Sequence, residues 1–255
     1  MLPSVLPMKK IKLAIDVGNT EIHIGSYLGE VLLETARFTT AAFTPEDFGG
    51  FLDSFIKEKQ VEKIGLSCVV PRHLEALLKC LSKYAPVFNI NPLTISDLIV
   101  RADNREELGA DFICAYYGAL VKYQAPIIVF DLGSATKTMI INEASEIAGV
   151  AIKPGLMQSL NAMLVNIPHL PEINMSEPAD VIGHNTIEAI KSGIFFGELA
   201  NIKYYGELLD QHYGFKSTKL VTGGYSNYFV NYMDGLHHEP SLLLTGINKI
   251  IATKR

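Results

Sequence analysis

The sequence predicts an α/β protein composed of two related halves, and three observations carry that prediction. An apolar strand pattern that ends in aspartate and enters a small, hydroxyl- or amide-bearing turn occurs twice. It runs first as Ile11-Lys12-Leu13-Ala14-Ile15-Asp16-Val17-Gly18-Asn19-Thr20, then as Ile127-Ile128-Val129-Phe130-Asp131-Leu132-Gly133-Ser134-Ala135-Thr136. Each is followed by a second run with strand character, Glu21 to Tyr27 and Thr138 to Asn142. Helical and extended patterns then alternate along the rest of the chain, as in α/β folds. A carboxylate beside a Gly/Asn/Ser/Thr turn suits a metal–phosphate unit. Glycine lets backbone N–H groups approach closely, hydroxyls and amides donate to oxyanions, and aspartate holds a cation or its water shell. Two such hairpins predict two halves facing each other across a nucleotide cleft.

Each further element has its own signal. Val31 to Phe38 reads as a strand. Thr44 fits a helix N-cap, with Pro45 at the first helical position and Asp47 three residues on. Phe48, Phe51, Leu52, Phe55 and Ile56 then follow the apolar stripe of an amphipathic helix. Lys63 to Val70 is a buried strand, Pro71 opens a helix with Leu74, Leu77, Leu78 and Leu81 on one face, and Val87 to Ile90 is a short strand. A third helix is expected from Asn104 to Tyr123, carrying Gly109-Ala110-Asp111, and Pro126 separates it from the second Asp-ended strand. The domain boundary is placed here, giving halves 1–123 and 124–255. A turn at Glu143-Ala144-Ser145, a strand from Glu146 to Ile152 and a helix from Leu156 to Asn166 follow. After a Pro- and His-containing loop, the longest helix pattern runs from Asn185 to His212. A strand at Lys219 to Val221 enters Thr222-Gly223-Gly224, and a helix from Gly246 to Thr253 ends the pattern.

At 255 residues the chain is long enough to bury a sizeable core, and 48% hydrophobic with 19% charged residues is ordinary for a globular protein. A net charge of −5 argues against a general nucleic-acid surface. Cys68, Cys80 and Cys114 are odd in number and lack CxxC spacing, which fits reduced thiols in a cytosolic protein rather than a metal cluster. No apolar run approaches the roughly 18 residues of a membrane span. Met1 to Lys10 places its lysines after the short apolar stretch, the wrong order for a secretory signal. Met8 is a second candidate start, which the intact mass of the native protein distinguishes from Met1.

The chemistry-bearing positions each have a plain structural reading beside the functional one. The Asp16 turn is either an ordinary hairpin or a phosphate turn, and its recurrence at Asp131 favours the second. Thr222-Gly223-Gly224 is either a plain turn or a backbone pressed against adenosine or phosphate. Asp111 lies between apolar Leu108 and Phe112, where an aspartate is uncommon unless paired. It is either a hydrogen-bonded helix-start carboxylate or a base accepting a hydroxyl proton during phosphoryl transfer. Lys137 and Lys153 lie near the expected cleft, as phosphate contacts or as surface lysines, the second being commoner. The seven histidines show no zinc spacing, and His237-His238 reads as a solvated turn.

These residues resemble the type III pantothenate kinases, of the acetate and sugar kinase, Hsp70 and actin superfamily. Asp16-Val17-Gly18-Asn19-Thr20, Gly109-Ala110-Asp111, Asp131 to Thr136, Pro154-Gly155-Leu156, Asn185-Thr186 and Thr222-Gly223-Gly224 occur in that family's order and approximate spacing, from about Ile11 to the C-terminus. The resemblance implies two actin-like (ribonuclease H-like) domains, each a mixed sheet flanked by helices, with the nucleotide cleft between them. It also implies a cytoplasmic homodimer that phosphorylates pantothenate with ATP to give 4'-phosphopantothenate, the first step of coenzyme A synthesis. Mg²⁺ with the ATP and a monovalent cation, K⁺ or NH₄⁺, are implied as well. On this mapping Asp16, Val17, Gly18, Asn19, Thr20, Glu21, Ile22 and His23 hold the ATP phosphates, and Ser134 contacts ATP. Asp131 is the monovalent-cation ligand and Asp111 the catalytic base. Gly109, Ala110, Asp111, Phe112 and Thr186 are pantothenate-contacting positions.

The chain departs from the family pattern in three places. Phe112 stands where an arginine follows Gly-Ala-Asp, and Ala102 where a tyrosine precedes Asp-Asn. The second hairpin reads Ser-Ala-Thr-Lys where Thr-Ala-Thr-Thr is usual. A guanidinium fork and an aromatic wall have no counterpart in Phe and Ala, and Arg101 and Arg105 are the nearby substitutes. Two other readings stand beside an active pantothenate kinase: a kinase for another small hydroxyl substrate, and a catalytically weak, nucleotide-binding regulatory paralogue like the Bvg accessory factors.

Overall fold

A computed structural model describes residues 10–101 and 103–254; the two candidate start methionines and Ala102 lie outside these. In chain order the elements are β1 (Ile11–Val17), β2 (Glu21–Leu28), β3 (Val31–Thr39), α1 (Pro45–Ile56), β4 (Val61–Cys68), α2 (Pro71–Leu81), β5 (Val87–Ile90) and α3 (Ala110–Lys122). There follow β6 (Ile127–Leu132), β7 (Ala135–Ile141), β8 (Ile147–Pro154), α4 (Leu156–Asn166), α5 (Thr186–Ala200), α6 (Gly206–Tyr213), β9 (Thr218–Thr222), β10 (His237–His238) and α7 (Leu242–Thr253). They form two compact units. One takes the chain up to Leu98, Asn104–Lys122 and everything from Leu242; the other takes Ile99–Asp103 and Tyr123–Ser241. The chain passes from the first unit to the second at Lys122/Tyr123, and α7 groups with the first unit although it lies in the second half of the sequence.

Among the described residues each unit holds one five-stranded mixed sheet, ordered β3-β2-β1-β4-β5 in the first and β10-β9-β6-β7-β8 in the second. The central strand of each, β1 or β6, ends in the aspartate. It pairs antiparallel with the next strand of its own hairpin and parallel with β4 or β9. The two halves therefore repeat one topology.

In the first unit the two faces of the sheet carry different side chains. Leu13, Ile15, Val17, Ile22, Ile24, Ile64 and Leu66 pack with Phe48 and Leu52 of α1 and Leu77 of α2. Ala14, Gly25 and Gly65 occupy the other face, and their small size lets α7 lie close: a Cβ at Gly65 would stand 2.5 Å from Ile247 Cγ2. α3 and α7 pack tightly against each other. Asp16 and Ser67 sit at the end of this second face, since side chains two residues apart share a side. In the second unit Ile128, Phe130 and Leu132 join Leu156, Leu160, Phe195, Ile202 and Phe229 in the core, and Asp131 lies on the opposite face by the same alternation.

Several elements differ from expectation. Thr44 caps α1 as expected, accepting from Asp47 N at 3.1 Å. The segment expected as one helix from Asn104 breaks into a 3₁₀ turn, Arg105–Glu107, an extended Leu108 and then α3. Asn104 Oδ1 takes the Glu106 amide at 3.1 Å, capping the short turn. The helix expected from Asn185 to His212 is interrupted by a π-helical segment, Asn201–Tyr205. His237-His238 is no solvated turn: it forms β10, parallel to β9, and His238 Nε2 is 2.8 Å from Ser226 Oγ.

Candidate active site

Five of the six sequence motifs gather into two clusters, one in each unit. In the first, pairing register aligns Arg37, His23, Asp16 and Ser67 across four strands. Ser67 Oγ donates to Asp16 Oδ1 at 2.7 Å, and Arg37 pairs with Glu21 at 2.5 Å. Burial, helped by Arg37 and opposed by Glu21, lowers the His23 pKa to about 4, so its imidazole is neutral at physiological pH. The turn is pinned from beneath. Gly18 N donates to Glu21 O at 3.0 Å, and wholly buried Thr40 donates its hydroxyl to Gly18 O at 2.8 Å and its amide to Thr20 O at 3.0 Å. Asn19, Thr20 and Glu21 are left exposed at the tip. The side chains of Val17 and Ile22 lie in the core, so these two positions offer a ligand only backbone.

The break before α3 positions Asp111. It falls in the helix's first turn, where the unsatisfied N–H groups favour a carboxylate. Asp111 is 8% exposed, and Phe112 N donates to its Oδ1 at 2.9 Å. A Cβ at Gly109 would collide with that same oxygen, which accounts for glycine there. One turn further on, burial pushes the Cys114 thiol well above its ordinary pKa. The Asp16 carboxylate adds to that shift, a hydrogen bond with Ser67 opposes it, and Asp111 contributes a smaller push. Asp16, Ser67, Cys114 and Asp111 thus form one neighbourhood. Phe112 is buried in the position where the family pattern has arginine.

In the second cluster Asp131 stands opposite Lys137 in the β6–β7 register and beside Thr222 of β9. Lys137 Nζ lies 2.9 Å from Asp131 Oδ2, with both side chains largely buried. Gly223 follows Thr222 with φ +90°, and a Cβ there would approach Asp131 Oδ1 to 2.5 Å and the Leu132 backbone to 2.6 Å. Only glycine satisfies both the left-handed backbone and that approach. Pro154-Gly155 closes the same turn, Gly155 N donating to Ser134 O at 3.1 Å. Lys153 is no simple surface lysine: it pairs with Glu198, a buried acid on α5 that also accepts from Thr136 Oγ1 at 2.8 Å.

The sixth motif stands apart. Thr186 is exposed at the start of α5, where Asn185 caps the helix by accepting from Glu188 N at 3.0 Å. Arg101 Nε binds Glu146 at 2.6 Å, while Arg105 donates to the Ile95 carbonyl within the first unit. Ser67, Thr40 and Glu198 are missed by sequence reasoning. Glu198, an acid inside an otherwise apolar helix stretch, carried a visible signal, whereas Ser67 and Thr40 become meaningful only through strand register.

A family model described as type III pantothenate kinase matches residues 12–207. The chain belongs to the type III pantothenate kinase family. A type III pantothenate kinase of Exiguobacterium sp. is 32% identical over 250 residues, covering 93% of this chain and 97% of the relative. Among solved structures, a protein described as a Baf family transcriptional activator from Campylobacter jejuni aligns with TM-score 0.59 and 24% identity, over 94% of this chain and 97% of that one. MreB 5 of Spiroplasma citri, bound to AMPPNP, aligns with TM-score 0.53 and 13% identity over 97% of both chains. These two likenesses establish the actin-like fold of this pantothenate kinase family member, and the fold alone.

Proposed function

We propose that this chain transfers the γ-phosphoryl group of ATP to the primary hydroxyl of pantothenate, giving 4'-phosphopantothenate at the first step of coenzyme A synthesis. Family membership supports the reaction, and the observation that carries the mechanism is Asp111, buried in the first turn of α3, where it and Asp16 both act on the Cys114 thiol. Asp111 accepts the hydroxyl proton as the substrate oxygen bonds to the γ-phosphorus and the bond from that phosphorus to the β–γ bridging oxygen breaks, leaving ADP. The amide of Phe112 donates to one carboxylate oxygen and so holds the carboxylate in place at the helix start.

Asp16, Gly18, Asn19, Thr20, Glu21 and His23 form the turn for ATP phosphate, with Val17 and Ile22 contributing backbone. His23 is neutral there and serves as a hydrogen-bonding group rather than a charge. Mg²⁺ neutralises phosphate charge when it arrives with the nucleotide. The donors present fit that ion: the Asp16 carboxylate stands at the strand end before exposed Asn19, Thr20 and Glu21, and phosphate-bound Mg²⁺ typically needs only one or two protein carboxylates. Ser134 contacts ATP, and Gly109, Ala110, Phe112 and Thr186 contact pantothenate. Of the two arginines near the altered substrate loop, Arg105 belongs to the same unit as Asp111 and is the better substitute for the arginine replaced by Phe112. The monovalent cation expected on Asp131 meets an ammonium already in place.

A homodimer belongs to the same proposal; exposed Val165, Ile167, Val181 and Ile182 in the second unit suit a second copy. So does a cytoplasmic location, which the three free cysteines support. Among the described residues no helix is long and apolar enough to cross a membrane. The regulatory reading is not favoured, because a binding module has no need of a buried base.

The test is ADP release with pantothenate and Mg²⁺, comparing wild type with Asp111→Asn. Removing the base is expected to cost roughly 10²–10⁴-fold in turnover while the unfolding midpoint stays close to wild type. Absence of pantothenate-dependent turnover in the wild type overturns the reaction; equal turnover by the variant overturns the base.

A further inference from the structure

We infer that the Lys137 ammonium is the resident cation of Asp131, a covalently tethered replacement for an exchangeable monovalent ion. The inference rests on the kinase reading above and concerns how its second hairpin is charge-compensated. Lys137 lies directly across the strand pair from Asp131, with Nζ 2.9 Å from Oδ2. The two side chains are only 19% and 13% exposed, so solvent screens the pair weakly. The remaining oxygen, Oδ1, faces the Gly223 backbone, close enough that even a methyl group there would stand 2.5 Å away. Gly133 stands on the same side, its Cβ position 3.6 Å from Oδ1. A free cation coordinating this carboxylate would sit beside an ammonium of the same sign, in a poorly screened position where like charges repel strongly.

The first hairpin differs at the equivalent cross-strand position. Its aspartate, Asp16, has the same place at the end of a central strand, and its cross-strand neighbour is His23, held neutral. A neutral cross-strand neighbour brings no charge of its own, whereas a lysine at hydrogen-bond distance supplies one permanently and independently of salt composition. Lys137 is also one of the positions where the chain departs from the usual Thr-Ala-Thr-Thr. The charge at Asp131 and the departure from the pattern thus have a single explanation.

The experiment compares wild type with Lys137→Thr, which restores the usual residue. ADP release is measured in choline, Na⁺, K⁺ and NH₄⁺ chlorides at equal ionic strength, and thermal unfolding of the nucleotide-free protein is followed in the same four salts. Wild type is expected to be indifferent to the cation in both measurements. Lys137→Thr is expected to lose about tenfold or more in choline, to regain activity in K⁺ or NH₄⁺, and to melt higher in those two salts because a bound ion stabilises the folded state. Strong activation of wild type by K⁺, or a Lys137→Thr protein as indifferent as wild type, overturns the inference. If no salt gives pantothenate-dependent turnover, the kinase reading fails and the melting data alone decide: K⁺-specific stabilisation confined to the variant supports the inference, and its absence overturns it. Should Lys137→Thr not fold, Lys137→Met, which keeps the aliphatic stem without the charge, takes its place under the same criteria.

Discussion

The two Asp-ended hairpins occupy equivalent places in equivalent sheets, yet their surroundings differ in kind. Asp16 accepts a hydrogen bond from Ser67 on the parallel neighbour and faces a neutral histidine on the antiparallel one. Asp131 faces a lysine and has Gly223 pressed against it. The turn after Asp16 ends in exposed Asn19, Thr20 and Glu21, whereas the turn after Asp131 is clasped by Gly155. One repeated backbone therefore supports two electrostatic surroundings: an aspartate that faces a neutral histidine and accepts from a serine, and an aspartate paired with a lysine. The residue that decides between them is the one across the hairpin, not the aspartate.

The contrast is open to direct attack. The largest effect is expected from Asp16→Asn, which should lower kcat/KM for ATP·Mg²⁺ by roughly 10²-fold or more, the usual scale for losing a positioned electrostatic group. Comparable activity in that variant would remove Asp16 from the phosphate site. Asp131→Asn is expected to act mainly on stability, at about 3 kcal/mol, because it leaves a largely buried ammonium without its carboxylate. Urea unfolding of that variant and of the Asp131→Asn/Lys137→Thr double variant measures this, the second change restoring much of the loss. A double variant no better than the single one would show that the ion pair is not the cause.

The smallest effect concerns pH. The unfolded chain protonates His23 near 6.5, whereas the folded chain resists until about pH 4. The unfolded state therefore binds more protons throughout that window, and stability present above pH 6.5 is lost as pH falls through it, at no more than about 1.4 kcal/mol per unit. Urea midpoints for wild type and His23→Gln between pH 7 and pH 4.5 test the sign: the variant should lose less.

Local rules made α1 readable, since Thr44, Pro45 and Asp47 state a helix start and the phenylalanines state its buried face. They failed where a neighbouring element set the outcome. An unbroken helical pattern from Asn104 hid the stop before Gly109, because that stop depends on Asn104 capping a 3₁₀ turn and on the Asp111 carboxylate filling the space above Gly109. The Asn185 pattern likewise concealed the π-helical segment at Asn201–Tyr205. Lys137 and Lys153 read as surface lysines for the same reason: nothing nearby in sequence announces Glu198, and only strand register sets Lys137 against Asp131.

By itself the sequence determined the α/β class, the repeated Asp-ended hairpin and the family, because these rest on local periodicity, turn chemistry and motif order. The tertiary structure decided which face each motif shares, since strand pairing and helix packing join residues far apart in the chain. It set Ser67 against Asp16, brought Asp111 into the same neighbourhood, and gave Asp131 a lysine where Asp16 has a neutral histidine. Charge interactions act through space between side chains that register brings within a few ångströms, so they could not be read from either hairpin alone.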